Sequence, residues 1–236
     1  MRIPMMIVVT LATALCWGGR ASAQTVTCTP ITSLPFTIND AGAFCLTGNL
    51  SYSSSGAAIT INYSGAVLDL NGYRLLYNGT ATSGSQGVKV LAGHPNVVIR
   101  NGLISSFQAA VDTFSAGTIV EDTRLYPAGV TSNGVIIEDG ADGTIVRRNY
   151  IRNADAAVNV FANSARIVEN DIYGADSTYD QGITVFSTNA FIVGNRFSRL
   201  TWAIYFSNGA SGKYRDNLTL NVTTPFLGGS DAGNND

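Results

Sequence analysis

Apolar and polar residues alternate in short runs that recur at a nearly constant interval along the chain. Each run begins with alanine or glycine and then alternates with the period of two that is typical of β-strands, as in Ala157-Val158-Asn159-Val160. Seven such runs begin at positions 58, 87, 110, 134, 157, 182 and 203. Their separation averages about 24 residues, and a repeat of this length is typical of a solenoid.

Two further short strands follow each of these first strands. A second apolar run comes about eight residues later and often ends on asparagine, as in residues 166–170, and a third apolar pair such as Ile172-Tyr173 follows almost at once. A strand that pairs with its own copy one repeat later, with no room for a helix between, must coil. The pattern therefore predicts an all-β parallel β-helix over residues 56–227, with about seven coils, three short strands per coil and coils about 4.8 Å apart. A leucine-rich repeat has a matching period, but leucine is too scarce at the anchor positions.

The first 23 residues have the features of a secretory signal peptide. Arg2 supplies a positive charge, residues 5–16 are mostly apolar but too short to span a bilayer, and Ala21-Ser22-Ala23 fits a cleavage site. We therefore expect a secreted protein, extracellular or periplasmic, with no membrane span. Cleavage would leave 12 basic and 16 acidic residues, a net charge of −4 without a basic run, which argues against nucleic-acid binding.

Two cysteines remain after this cleavage. An even pair in an exported chain is most simply a disulfide, so Cys28 and Cys45 are predicted to crosslink an N-terminal capping segment over residues 24–55. The last residues, 228–236, are predicted to form a polar C-terminal tail. A single histidine, His94, rules out a zinc site with several histidine ligands.

The repeated pattern resembles the right-handed parallel β-helix, or pectin-lyase-like, superfamily. The resemblance rests on the first strands, on Leu68-Asp69-Leu70-Asn71-Gly72 and on Val98-Ile99-Arg100-Asn101-Gly102, and it covers nearly the whole mature chain. It implies a right-handed coil and an asparagine ladder between the second and third strands. The ladder would here be formed by Asn71, Asn101, Asn170, Asn195 and Asn217, and we expect looser coils where Asp122 and Arg148 interrupt it.

The outward residues of the first strands form two predicted columns. One contains Thr60, Lys89, Asp112, Ile136, Asn159, Thr184 and Tyr205, and the other contains Asn62, Leu91, Phe114, Glu138, Phe161, Phe186 and Ser207. Sugar rings stack on aromatic side chains, so the residues predicted to bind substrate are Phe114, Phe161, Phe186 and Tyr205, together with Lys89 and Asn159. Aromatic residues that stack between coils also serve stability alone, and this interpretation stays open.

Acidic residues form a second candidate site on the same face. Asp155 and Asp180 each precede the first strand by the same number of residues and should therefore lie on consecutive coils. Two carboxylates about 5 Å apart can share a proton or a calcium ion, or flank a glycosidic bond. We therefore predict Asp155, Asp180 and Asp112 as catalytic candidates, and Asp155 and Asp180 as candidate calcium ligands. The alternative is that these are ordinary aspartates of solvated turns.

Two functions are compatible with these features. The first is a secreted β-helix that binds or processes an extracellular polysaccharide along its first-strand face, as a polysaccharide lyase or a glycoside hydrolase if it is an enzyme. The second is a non-catalytic surface, structural or adhesion scaffold, which the short turns favour. Motifs of polygalacturonase-like hydrolases and of alginate epimerases are absent, and Gly93-His94-Pro95 only partly matches the Gly-His-Gly motif of the former. Substrate and oligomeric state are not predictable from these residues.

Overall fold

The computed structural model describes residues 27–79, 83–129, 131–175 and 180–236, so the predicted signal peptide lies outside the described residues. The described chain contains β-strands and no helix. The strands, in chain order, are β1 (Thr29–Ile31), β2 (Phe36–Ile38), β3 (Ala43–Leu46), β4 (Leu50–Tyr52), β5 (Gly56–Ile61), β6 (Val67–Asp69), β7 (Arg74–Tyr77), β8 (Ser85–Val90), β9 (Val98–Ser105), β10 (Ala109–Thr113), β11 (Ile119–Tyr126), β12 (Asn133–Ile137), β13 (Ile145–Arg147), β14 (Tyr150–Arg152), β15 (Ala156–Val160), β16 (Arg166–Val168), β17 (Asp171–Tyr173), β18 (Gln181–Val185), β19 (Ala190–Val193), β20 (Arg196–Phe206), β21 (Gly212–Arg215), β22 (Leu218–Leu227) and β23 (Ser230–Asp231).

These strands pair only in parallel and form three sheets that run along the solenoid. The first sheet contains β2, β5, β8, β10, β12, β15, β18 and the C-terminal ends of β20 and β22. The second sheet runs from β1 and β3 through β6 to β23, and the third runs from β4 and β7 to the N-terminal end of β22. The predicted right-handed parallel β-helix with three strands per coil is confirmed.

The solenoid has about eight turns, one more than predicted. The additional turn arises because the N-terminal segment forms strands of its own. In this segment β2 pairs with β5, β3 pairs with β6, and β4 pairs with β7. The C-terminal residues also join the stack, since β23 pairs with β21.

The core is a set of stacked aliphatic columns, as the alternating pattern predicts. The inward column of the first sheet is at most 1% exposed and contains Ile59, Val88, Val111, Val135, Val158, Ile183 and Ile204. Burial of each such side chain stabilises the fold by about 1.5–3 kcal/mol. Because inward positions hold apolar residues, the residues between them are directed outward on the first sheet.

The asparagine ladder is present, but the predicted membership is partly wrong. The linked members are Asn149, Asn170, Asn195, Asn217 and Asn235, of which the first four are buried and Asn235 is half-buried. From Asn170 onward each amide oxygen accepts hydrogen bonds from the preceding member. Asn71 and Asn101 lie outside it, at exposed turn positions with φ of 53° and 62°. Asparagine tolerates this left-handed conformation, which explains why the sequence places it in both kinds of position.

The expected loosening at Asp122 and Arg148 is also wrong. These residues occupy the left-handed turn position that precedes the ladder, with φ of 51° and 53°. Arg148 donates two hydrogen bonds to the Asp122 carboxylate, with N–O distances of 2.9 and 2.8 Å, and a third to Glu121. The two coils are therefore joined by an ion pair at the position where the sequence predicted a defect.

The disulfide between Cys28 and Cys45 is present, with a Cα–Cα distance of 5.8 Å. It joins the residue before β1 to β3, which pair side by side in the second sheet. Among the described residues no helix is long and apolar enough to cross a membrane.

Candidate functional site

The outward face of the first sheet carries both columns that the sequence predicts. Strand pairing places the first column in register, from Thr60 opposite Lys89 through Asp112, Ile136, Asn159 and Thr184 to Tyr205. The second column follows two residues later in each coil. Seven of the nine predicted site residues outside the disulfide lie in two subsites of this face, Lys89, Asp112 and Phe114 in the first and Asp155, Asn159, Phe161 and Phe186 in the second.

The first subsite surrounds Asp112 on β10. The side chain is only 3% exposed, although it belongs to the outward column, because side chains of neighbouring coils cover it. Gln86 Nε2 donates a hydrogen bond to Asp112 Oδ2 at 2.5 Å, whereas Asp112 Oδ1 is buried and has no hydrogen-bond partner among the described residues. A buried carboxyl group with one unsatisfied oxygen is costly to a fold and is typical of functional sites.

Burial raises the pKa of Asp112 to about 7. Repulsion from the Glu138 carboxylate contributes to this raised pKa, and the ammonium group of Lys89 opposes both effects. Burial also raises the pKa of Glu138, again against Lys89. A carboxyl group that is half ionised near neutral pH can both donate and accept a proton, which is the requirement for general acid–base catalysis.

Lys89 and Phe114 lie beside Asp112 on this face, Lys89 opposite it on β8 and Phe114 two residues after it. The Lys89 ammonium nitrogen lies 4.9 Å from the centre of the Phe114 ring, a cation–π contact between adjacent coils. Phe114 is half-buried, so its ring is less available for stacking on a ligand than the sequence suggested.

The second subsite is an aromatic platform formed by the residues directly after β15 and β18. Phe161 and Phe186 stack face to face, with ring centroids 4.8 Å apart and planes 6° apart. They remain 39% and 46% exposed, so their outer edges and faces are open to solvent. Tyr205, the fourth predicted aromatic, is half-buried and packs against Trp202 instead, with ring centroids 6.1 Å apart.

A polar groove of about 460 Å³ lies beside this platform. It crosses three coils and is lined by Thr131, Asn133, Asp155, Ala156, Asn159, Gln181 and Phe186. Asn159 Nδ2 donates to Asn133 Oδ1 at 2.7 Å, and Thr184 Oγ1 donates to Gln181 Oε1 at 2.7 Å, which orients the amides along the groove. Amide groups next to an exposed ring provide hydrogen bonds and an apolar face to the same ligand.

Asp155 and Asp180 lie on consecutive coils, as the spacing predicts, because Ala156 pairs with Gln181. Their carboxylates bind turn backbone. Asp155 Oδ2 accepts hydrogen bonds from the amide and hydroxyl of Ser132 at 2.6 and 3.2 Å, and Asp180 Oδ2 accepts one from the Ala175 amide at 2.6 Å. Both residues therefore hold the turns that enter the first sheet. Calcium binding by this pair stays a prediction, and no group of three or more histidine, cysteine or acidic residues suited to a metal occurs within the described ranges.

The amides Gln86, Asn133 and Gln181 were not predicted as site residues. Glu138 was predicted to lie in an outward column, but no role was predicted for it. Each amide precedes the small residue that begins a first strand, as in Gln86-Gly87, Asn133-Gly134 and Gln181-Gly182. This recurrent pair was the available signal. A Cβ at the small residue would meet core side chains, such as Ile104 at Gly87, so this residue faces inward like the apolar residue after it. The amide before it therefore points to the outer face and does not follow simple alternation.

Neither protein-family profiles nor the sequences of curated proteins give a match to this chain. Among solved structures, the fold is similar to that in "Crystal structure of alginate lyase from Paenibacillus sp. str. FPU-7". The TM-score is 0.59 at 15% sequence identity, over 84% of this chain and 86% of that chain. At this identity the likeness shows a shared fold, the parallel β-solenoid, and nothing more.

Proposed function

We propose that this protein is exported and binds an extracellular polysaccharide along the outward face of its first sheet, where Asp112 transfers a proton during cleavage. The observation that carries the proposal is the buried Asp112 carboxyl group, with one unpartnered oxygen, on the same face as the amide groove and the exposed phenylalanine pair. The Cys28–Cys45 disulfide supports export. An alginate lyase with the same fold supports a polysaccharide as the ligand class.

Each group on the face has a role in this proposal. Phe161 and Phe186 stack against the apolar face of a sugar ring, and Asn133, Asn159 and Gln181 bond its hydroxyl groups. Asp112 lies one coil from Ile136 and two from Asn159, which places it roughly 10 Å from the groove along the solenoid. A polymer running along the axis would span both subsites.

The chemistry at Asp112 follows from its protonation. In the neutral form it donates a proton to the glycosidic oxygen as the carbon–oxygen bond breaks, while a water molecule adds to the anomeric carbon and releases its proton to solvent, which is hydrolysis with acid catalysis. In the ionised form it removes a proton from the ring carbon beside a uronate carboxylate. The electron pair then forms a carbon–carbon double bond as the bond from the adjacent ring carbon to the glycosidic oxygen breaks, and the departing oxygen takes up a proton from solvent. The first route gives saturated products, and the second gives unsaturated ones.

A direct experiment separates these routes. The protein would be incubated with alginate, polygalacturonate and a neutral glucan while new reducing ends and the absorbance of unsaturated sugars are recorded. Asp112→Asn should abolish product formation on any substrate that the wild type cleaves. Asp139→Asn removes an exposed carboxylate of the neighbouring turn and should leave the rate unchanged. Equal activity of Asp112→Asn and wild type would exclude Asp112 as the proton-transfer group.

The second candidate function is a non-catalytic adhesion or structural scaffold. The nearly complete burial of Asp112, which is 3% exposed, favours it, because a catalytic carboxyl group must contact its substrate. In that case the polysaccharide binds to the aromatic platform and no bond is cleaved. Binding without any product, for every polymer tested, would support the scaffold.

A further inference from the structure

The outer face of the second sheet is divided into two electrostatically different halves. In its N-terminal half the cations have acidic partners. Arg100 pairs with Asp69 at 3.0 Å, and Arg147 pairs with Glu121 at 2.7 Å. These charges stack in one in-register column, so this half neutralises itself.

Two cations of the C-terminal half have no such partner among the described residues, whereas Arg215 in the same half pairs with Asp216 at 2.9 Å. Strand pairing places Arg166, Phe191 and Lys213 opposite one another on β16, β19 and β21, all three exposed. Within the residues that the structure describes, neither Arg166 nor Lys213 forms an ion pair. In a chain with a formal net charge of −2, this is a local positive site.

The aromatic ring between these cations is also uncovered. Phe191 is 47% exposed and has no aromatic neighbour among the described residues. Grooves of about 510 and 250 Å³ lie on its two sides. The larger is lined by Ser164, Arg166, Val168, Phe191 and Val193, and the smaller includes Lys213 and Ser230. The site is therefore extended along the solenoid axis, with a cation at each end roughly 10 Å apart.

We propose that this surface, formed by Arg166, Phe191 and Lys213, is a second binding site for a polysaccharide that carries carboxylate groups. A uronate unit presents an apolar ring face to Phe191, while carboxylates on successive units reach Arg166 and Lys213. Arginine binds carboxylates through its planar fork, and lysine adds a mobile point charge. The exposure and the charges of this site are structural observations, whereas the choice of polysaccharide as the anion rests on the proposed function.

The test measures binding of an oligogalacturonate by isothermal titration calorimetry. The double variant Phe161→Ser with Phe186→Ser serves as background, so that the first-sheet platform does not contribute. Adding Arg166→Gln and Lys213→Gln should weaken binding about tenfold, and added salt should weaken binding to the background protein. Arg124→Gln is the matched control, since it removes an exposed arginine from the third sheet, and it should leave the affinity unchanged.

The possible results distinguish a wrong second site from a wrong first-sheet site. Unchanged affinity in the Arg166→Gln/Lys213→Gln protein would overturn the second site and leave the proposed function intact. Loss of self-association in that variant, detected by analytical ultracentrifugation, would show a second copy of the chain as the occupant and would also overturn it. If Phe161→Ser with Phe186→Ser binds as tightly as the wild type, while Arg166→Gln with Lys213→Gln weakens binding, the proposed first-sheet binding is wrong and the second site is supported.

Discussion

Arg148 and Asp122, on neighbouring coils, face each other across the left-handed turn position and share two hydrogen bonds of 2.9 and 2.8 Å. The hydrogen bonds and charge of Arg148 lower the pKa of Asp122. The carboxylate therefore stabilises the fold above its unfolded pKa, near 3.9, and this contribution is lost as the pH falls through the lower folded pKa. We expect Asp122→Asn to lower the melting temperature slightly at neutral pH and not at acid pH.

The control for this prediction is Asp139→Asn, which removes an exposed acid without an ion pair in the described structure. Its melting temperature should follow that of the wild type across the same pH range. A decrease for Asp122→Asn that is equally large at acid pH would contradict the ionic link.

The buried ladder predicts a large cost for loss of one amide. Asn195 accepts hydrogen bonds from the amide and side chain of Asn170, and it donates to Ile167 O and Asn217 Oδ1. Asn195→Ala leaves several buried groups unpaired and should cost about 2–4 kcal/mol of unfolding free energy. Asn101→Gly, at an exposed left-handed position that glycine accepts, should cost much less in the same urea titration. An equal loss of unfolding free energy in the two variants would contradict the stabilising role of the buried ladder.

The disulfide should stabilise the N-terminal turn of the solenoid. Cys28 and Cys45 are 17 residues apart, and a loop of this size is worth about 3 kcal/mol when its closure restricts the unfolded chain. We expect Cys28→Ser with Cys45→Ser to lower the melting temperature, and a reducing agent to lower that of the wild type only. An unchanged melting temperature in reducing and oxidising buffers would contradict a stabilising crosslink.

Asp112 should make the protein less stable as the pH rises. Its folded pKa of about 7 lies above its unfolded value near 3.9, so the fold favours the protonated form. The stabilisation is complete below the unfolded pKa and is lost as the pH rises through the folded pKa, by up to about 4 kcal/mol. Asp112→Asn lacks this dependence and should gain stability relative to the wild type as the pH rises. Urea midpoints that stay parallel for the two proteins would contradict the raised pKa.

The sequence predicts the strands and their register well because inward positions repeat with one chemistry. Val88, Val111 and Val135 mark the same column in three coils, and each outward neighbour follows from them. The predicted ladder contained two wrong residues because asparagine fits both the buried ladder position and the left-handed position before it. Doublets such as Glu169-Asn170 and Gly194-Asn195 distinguish the two positions only once the coil geometry is known. The burial of Asp112 depends on side chains from other coils, which its own strand does not specify.

The proposed function requires that the first-sheet platform, formed by Phe161 and Phe186, binds a polysaccharide. The most direct measurement is the affinity of the wild type and of the Phe161→Ser/Phe186→Ser variant for polyuronate and neutral oligosaccharides. Tyr63→Ser is the matched control, because Tyr63 is 40% exposed but lies in a turn outside the first sheet. We expect at least one of these oligosaccharides to bind to the wild type. Its affinity for the Phe161→Ser/Phe186→Ser variant should be at least about tenfold weaker, and its affinity for Tyr63→Ser should equal that for the wild type. Equal affinity for wild type and the phenylalanine variant, or no binding to any of them, would contradict it.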